Sequence, residues 1–173
     1  VSSERRAYIP AGFVTNGMIP GDKLYFIPTD NLYIFGIFMS RFHNAWMRAI
    51  AGRLKSDYSY ANTIVYNNFI WPEPTDEQRH RIEKCAQVVL DARQLYQCPA
   101  GVPDNNDITA EPAATLADLY DPDNDFLYPA LIRAHQELDT AVEEAYGVSF
   151  NDDEPKIVAH LFKPYQQHTT STK

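Results

Sequence analysis

Lys55 and Asp57 stand two residues apart in the segment Ala51-Gly52-Arg53-Leu54-Lys55-Ser56-Asp57-Tyr58-Ser59-Tyr60. In an extended stretch that spacing points both side chains the same way. A donor then lies beside an acceptor, which is what a G·C pair demands in the major groove. An ammonium donates to guanine O6 and N7, and a carboxylate accepts from cytosine N4. The same residues also fit a solvated polar loop in which Arg53 and Lys55 satisfy the end of a preceding helix. Arg53, Tyr58 and Ser59 are further candidates for DNA contacts in this segment. Upstream, Arg41, Asn44 and Arg48 fall on one face of a helical pattern, opposite Phe42 and Trp46. They fit phosphate contacts or an ordinary wet face, and Arg5 and Arg6 are candidates of the same kind.

Other chemistry is sparse. There is no Gly-rich loop for a nucleotide or for S-adenosylmethionine, and no Asn/Asp-Pro-Pro-aromatic tetrapeptide of the kind that receives a flipped adenine. Asn68-Phe69-Ile70-Trp71-Pro72 has similar letters in another order. Asp121-Pro122-Asp123-Asn124-Asp125 opens like a calcium loop, but Phe126 stands where the loop needs Gly and Ile132 where it needs Glu. An acidic turn that caps a helix is the simpler reading. The histidines are scattered without zinc spacing, and His43 and His135 read as surface or interface residues. Cys85 in a helical pattern and Cys98 in a Pro-rich loop read as free thiols in a reducing cytoplasm. No apolar run approaches the ~18 residues of a membrane span.

The elements that must position these residues divide into two parts. Tyr8 to Val14, Leu24 to Pro28 and Asn62 to Tyr66 are short, aromatic or β-branched and bounded by turn residues, which predicts strands. Leu32, Phe35, Met39, Phe42, Trp46 and Ala49 recur at spacings of three and four, which predicts one buried helix face from Asp30-Asn31 to Gly52. From Thr75 the pattern turns helical. Thr75 and Gln78 form a capping-box signature, and Ile82, Ala86, Val89, Ala92 and Tyr96 form the stripe behind it. Residues 97–114 read as a long loop, Thr115 to Tyr120 as a short helix, and Leu127 to Ala145 as a longer one stopped by Gly147. A last helix starts near Asp153 with Ile157, Leu161 and Phe162 on one face, and Pro164 should end or kink it. The fold class is therefore α+β: a mixed strand–helix half, residues 1–74, followed by a mainly helical domain, residues 75–173. The two halves are expected as separate packed lobes joined at Trp71–Thr75.

Net charge is −8, a balance unsuited to nucleic acid until its distribution is considered. Residues 1–75 carry seven Lys/Arg against five Asp/Glu, whereas residues 76–173 carry eight against eighteen. Between Arg41 and Ser56 lie four basic residues and no acid. Such a field attracts phosphate locally while the acidic half faces solvent or a protein partner. The chain opens on Val1-Ser2-Ser3-Glu4-Arg5-Arg6, which reads as mid-protein sequence, so an excised piece of a longer protein is expected.

The strings SSERRAYIPAGF, SRFHNAWMRAIAGRLKSDY, NTIVYNNFIWP, EQRHRIEKCAQVVLDAR and LADLYDP, in this order, resemble the C-terminal region of the MmeI-like (type IIL) restriction–modification DNA methyltransferases. These single-chain enzymes join a nuclease domain and a helical connector to an S-adenosylmethionine-dependent adenine-N6 methyltransferase. A target recognition domain and a helical C-terminal domain follow. The resemblance covers nearly the whole chain. It implies that residues 1–74 are the latter half of the target recognition domain and that the remainder is the helical domain. It also implies double-stranded DNA and an upstream methyltransferase domain as partners. S-adenosylmethionine would be the cofactor of the longer protein, with no cofactor or catalytic residue in this part. In that family the positions flanking the Ser of GRLxSxY vary together with one base pair of the target; here they are Lys55 and Asp57. The departure lies at 97–114, where family members pass to LADLYDP in few residues. Two other readings stay open: a helical protein-interaction lobe of the longer enzyme, and a recognition domain like that of a type I specificity subunit.

Overall fold

The computed structural model describes residues 3–14, 17, 21, 24–54, 57–97, 114–151 and 153–170, with backbone alone at 54 and 165–170. The expectations for Lys55, Cys98 and most of the 97–114 loop lie outside the described residues.

Helix α1 (Leu32–Phe38) starts where Asn31 Oδ1 accepts from the backbone N–H groups of Tyr33 and Ile34, at 2.8 and 3.2 Å. It does not run on to Ala49 as the periodicity predicts. Ser40 divides it from α2 (Arg41–Ile50). The Ser40 hydroxyl donates to Ile37 O at 2.6 Å, which satisfies a carbonyl at the end of α1, and accepts from His43 N, which caps α2. A side chain that serves both helix ends favours a corner over a continuous helix. The stripe survives the corner through Met39, Phe42 and Trp46, all buried, but Ala49 faces solvent.

Two strands follow, β1 (Gly52–Leu54) and β2 (Asp57–Ser59), paired antiparallel with Gly52 opposite Ser59, Arg53 opposite Tyr58 and Leu54 opposite Asp57. This hairpin is the whole β content of the described residues. Tyr8–Val14 and Leu24–Pro28 are not strands. Among the described residues no partner supplies them with a ladder, and Tyr8 packs its ring on His135, with centroids 4.0 Å apart. Asn62–Tyr66 is a run of turns, not a strand. Val65 N and Tyr66 N return to Ala61 O and Asn62 O, and the Asn68 amide donates to Thr63 O and Ile64 O. Local side-chain bonds of this kind outcompete an extended ladder.

The second half follows its pattern closely. Helix α3 (Asp76–Gln94) carries the complete Thr75/Gln78 capping box and buries Ile82, Ala86, Val89 and Ala92. Helix α4 (Leu116–Leu119) is followed by a 3₁₀ helix (Pro122–Leu127), whose start is capped by the Asp121 carboxylate accepting from Asp123 N at 3.1 Å. Helix α5 (Pro129–Ala145) ends at Gly147, whose φ of +67° suits glycine. Helix α6 (Glu154–Thr170) runs through Pro164 instead of stopping there. Proline there removes the N–H that would reach His160 O and crowds that carbonyl, a local cost that the helix absorbs.

Helices α3 and α5 pack together, α1 lies on α3, and α2 lies on α6. One buried cluster contains Phe42 and Trp46 from the first half and Ile82, Leu138 and Leu161 from the second. The break at Trp71–Thr75 that marks the sequence therefore does not mark the packing. Trp46 Nε1 donates to Val65 O at 2.9 Å and its ring meets Phe162 at 5.1 Å. Tyr33 and Tyr146 tie the connection itself by donating to Pro72 O and Ile70 O. The result is mostly helical with one small antiparallel sheet, consistent with the α+β class.

At Gly36 α1 approaches the second half closely. A Cβ there would lie 2.8 Å from Ile82 Cγ2 and 3.3 Å from both Ala86 Cβ and Leu138 Cδ1. The β-branched Ile82 cannot swing aside within a helix. Gly36→Ala should therefore destabilise by about 1–2 kcal/mol, overpacking outweighing the ~1 kcal/mol that alanine gains in a helix. Urea unfolding checks this, and a raised midpoint would show that the helices part easily.

Both histidines expected at the surface are buried: His43 is 0% and His135 2% exposed. Each sits on a helix otherwise patterned for the core and has Nε2 within hydrogen-bond distance of a tyrosine hydroxyl, Tyr60 at 2.9 Å and Tyr120 at 2.7 Å. Burial pushes the His43 pKa down to about 3. Burial first, and then the positive Arg93 and Arg41, hold His135 well below the usual range. An unfolded histidine titrates near ~6.5. Between that pH and about 3 the unfolded chain binds a proton that folded His43 refuses. Stability is thus fully present above pH ~6.5 and falls on acidification, by at most ~1.4 kcal/mol per pH unit for each histidine. Replacing His43 with Asn should flatten the pH dependence of the urea midpoint between pH 6.5 and 4.5. An equally steep dependence in the variant would remove His43 as its source.

Candidate nucleic-acid interface

Helix α2 ends at Ala51, and the hairpin begins at the next residue. Within the hairpin, paired residues share a face. On one face the Arg53 guanidinium lies 4.5 Å over the Tyr58 ring and donates to its hydroxyl at 3.0 Å. Arg53 also reaches Glu4 at 2.9 Å, which fastens the hairpin to the N-terminal arm. Tyr58 is buried, so its expected contact with DNA does not fit the structure: the ring supports the hairpin from inside. The other face carries Asp57 and Ser59, both exposed, with Gly52 beside Ser59 offering no side chain to cover it. The hairpin thus holds a carboxylate and a hydroxyl outward on a braced two-strand support.

The candidates on α2 have other partners. Asn44 is 2% exposed and donates to Ser40 O at 3.2 Å, which leaves it no surface for a phosphate; it sits on the inner side of the helix, not the wet side. Arg41 opens α2, and its backbone N–H donates to Asp139 Oδ1 at 2.8 Å while its Nε lies 3.4 Å from Asp139 Oδ2. Arg48, in the last turn, pairs with Glu154 at 2.7 Å and donates to Arg6 O at 2.6 Å. Arg5 pairs with Asp123 at 2.6 Å. A cavity of about 220 Å³ lies among Arg5, Arg41, Asn44, Arg48, Glu154 and Ile157.

A buried polar cluster was not anticipated from the sequence. Arg93, 3% exposed, donates to Tyr120 Oη at 2.9 Å and to Ala11 O at 2.7 Å. The Tyr120 hydroxyl accepts from arginine and lies 2.7 Å from His135 Nε2, so it joins the two buried side chains. Tyr8 stacks on His135 and donates to Asp139 Oδ2 at 2.6 Å. Burial, and next the Asp139 charge, raise the Tyr8 pKa far above that of a free phenol. One signal was available: His135 and Asp139, four residues apart, share the apolar face of α5 with Leu131 and Leu138.

Among the described residues no group of three His, Cys, Asp or Glu side chains converges as a metal site, and no helix is long and apolar enough to cross a membrane.

The described part of the hairpin is braced on its Arg53–Tyr58 face and carries exposed polar side chains, Asp57 and Ser59, on the other. The chain belongs to the MmeI family: residues 1–73 match the family described as MmeI, target recognition domain, and residues 74–172 the family described as MmeI, C-terminal domain. It is 37% identical over 171 residues to DNA methyltransferase A of Bacillus subtilis (strain 168), a match over 98% of this chain and 17% of that protein. It is also similar to a solved structure of the type IIL restriction–modification enzyme MmeI in complex with DNA. That likeness has 39% identity and a TM-score of 0.81, over 98% of this chain and 20% of that one. The chain thus spans about a fifth or less of the length of these relatives.

Proposed function

We propose that this chain is the DNA-reading end of a longer adenine-specific, S-adenosylmethionine-dependent DNA methyltransferase, and that Lys55 and Asp57 read one G·C pair from the major groove. The exposed Asp57–Ser59 face of the hairpin carries this reading, in a chain that is similar to a DNA methyltransferase. A two-stranded ribbon is narrow enough for the major groove. Lys55 donates to guanine, Asp57 accepts from the cytosine amine, and Ser59 is a neighbouring contact. Arg5 and Arg53, with side chains 60% and 52% exposed beside their carboxylate partners, contact phosphate at the rim, with Arg6 next to them. Methyl transfer belongs to an upstream domain of the same polypeptide, which supplies the residues that hold the methyl donor.

The test is to express the full-length protein in a host and map N6-methyladenine in its DNA. One defined motif containing at least one G·C pair is the expected outcome. Methylation without a motif, or at cytosine only, would contradict the proposal.

A further inference from the structure

Helix α2 is held at both ends by carboxylates of the acidic half. At its start Asp139 of α5 accepts from Arg41 N, and Tyr8 donates to the same carboxylate. At its end Glu154, the first residue of α6, pairs with Arg48 at 2.7 Å. The two anchors are seven residues apart along the ten-residue helix, ~10 Å of rise. Arg48 is one helical turn before Gly52, where the hairpin begins, and its other nitrogen holds the N-terminal arm through Arg6 O. The same arm carries Glu4, which fastens Arg53 within the hairpin. From Glu154 to the hairpin there is therefore a short chain of contacts with no loop in it: α6, Arg48, the end of α2, β1.

The neighbouring cavity is rich in arginine but electrically balanced. Arg41 and Arg48 face Asp139 and Glu154, so a phosphate seated between them would have to displace a carboxylate. The Arg48–Glu154 pair is also better placed to hold helices together than to meet solvent, since the arginine side chain is only 23% exposed.

We infer that Glu154 and Arg48 are positioning residues for sequence discrimination: the pair fixes the end of α2 and so sets the orientation in which the hairpin meets DNA. This rests on the proposed reading of the hairpin as the base reader. The helical half then acts as a platform for recognition, and its acidic side chains serve a DNA-binding protein by holding that protein's own arginines.

The signs of the two substitutions decide the matter. In the full-length protein, Glu154→Gln and Arg48→Gln are compared on a duplex carrying the methylated motif and on one with the G·C pair reversed. Glu154 is 40% exposed and tolerates the change sterically. Each variant should lose a similar part of the cognate-to-reversed affinity ratio, on the order of 2- to 30-fold. The salt dependence should be unaltered, hydrogen exchange at residues 52–59 should rise, and Arg48→Lys should retain most of the ratio. If Arg48→Gln instead weakens both duplexes equally and lowers the salt slope by about one, while Glu154→Gln tightens binding, Arg48 holds a phosphate and the inference fails. If hairpin exchange is unchanged in both variants, the inference also fails. If exchange rises and the affinity ratio stays fixed, the positioning stands and the hairpin is not the base reader.

Discussion

Introducing Lys55→Glu and Asp57→Arg together is expected to reverse the preferred base pair at one position of the methylated motif, from G·C to C·G, and to leave the others alone. In the proposed reading, lysine opposite guanine and aspartate opposite cytosine each satisfy a group that the reversed pair does not offer at that position. A good base-edge contact discriminates by ~1–3 kcal/mol, so the wrong pair costs roughly ten- to a hundredfold in binding. Either change alone leaves two acceptors or two donors facing a pair that offers one of each, so the single variants should modify both sequences poorly. The hairpin tolerates the change at Asp57 because that side chain is on the free face, while Arg53 and Tyr58 brace the other. Sequencing the methylated sites of the double variant gives the answer. An active enzyme with an unaltered motif would reduce these residues to a polar loop.

Trp46→Ala should have the largest effect on stability. The side chain is 2% exposed, meets Phe69 and Phe162, and donates to Val65 O. Loss of a buried aromatic costs ~3–5 kcal/mol, and an orphaned carbonyl adds ~1–3 kcal/mol where water cannot reach it. Against a typical total of ~5–15 kcal/mol, that removes a third or more of the fold's margin. Phe162 belongs to α6 and Val65 precedes the Trp71–Thr75 connection, so the substitution strikes the contact between the halves. A single unfolding transition, displaced as a whole in urea, is expected. Two transitions of which only one moves would mean that the halves fold separately.

The helical half was legible because its signals are local. Thr75 and Gln78 cap α3 within four residues, Gly147 ends α5 with its own backbone freedom, and the stripes of α3, α5 and α6 have helical spacing. The first half was harder. Its apolar period runs unbroken through Ser40, and what turns the chain there is a hydroxyl bonded both ways, which no hydrophobic count registers. Tyr8–Val14 has the composition of a strand, but a strand needs a neighbour and the described residues provide none. Asn62 and Asn68 divert a β-branched run into turns through their side chains. The hairpin segment was singled out as the candidate site by Lys55 and Asp57 and by the family motif. Its support was not, since Arg41, Arg48 and Arg53 find carboxylates at sequence separations of 98, 106 and 49 residues. Read locally, they are a basic face; in the fold, their charges are partnered.

Base-analogue interference on the full-length protein tests the central claim most directly. 7-Deazaguanine lacks N7 but pairs normally, and it is placed at one guanine of the methylated motif at a time. A hairpin that reads G·C through Lys55 predicts one guanine at which the analogue weakens wild-type binding by about tenfold and adds nothing to the loss in Lys55→Ala. A loss of equal size in wild type and Lys55→Ala at every guanine would contradict it.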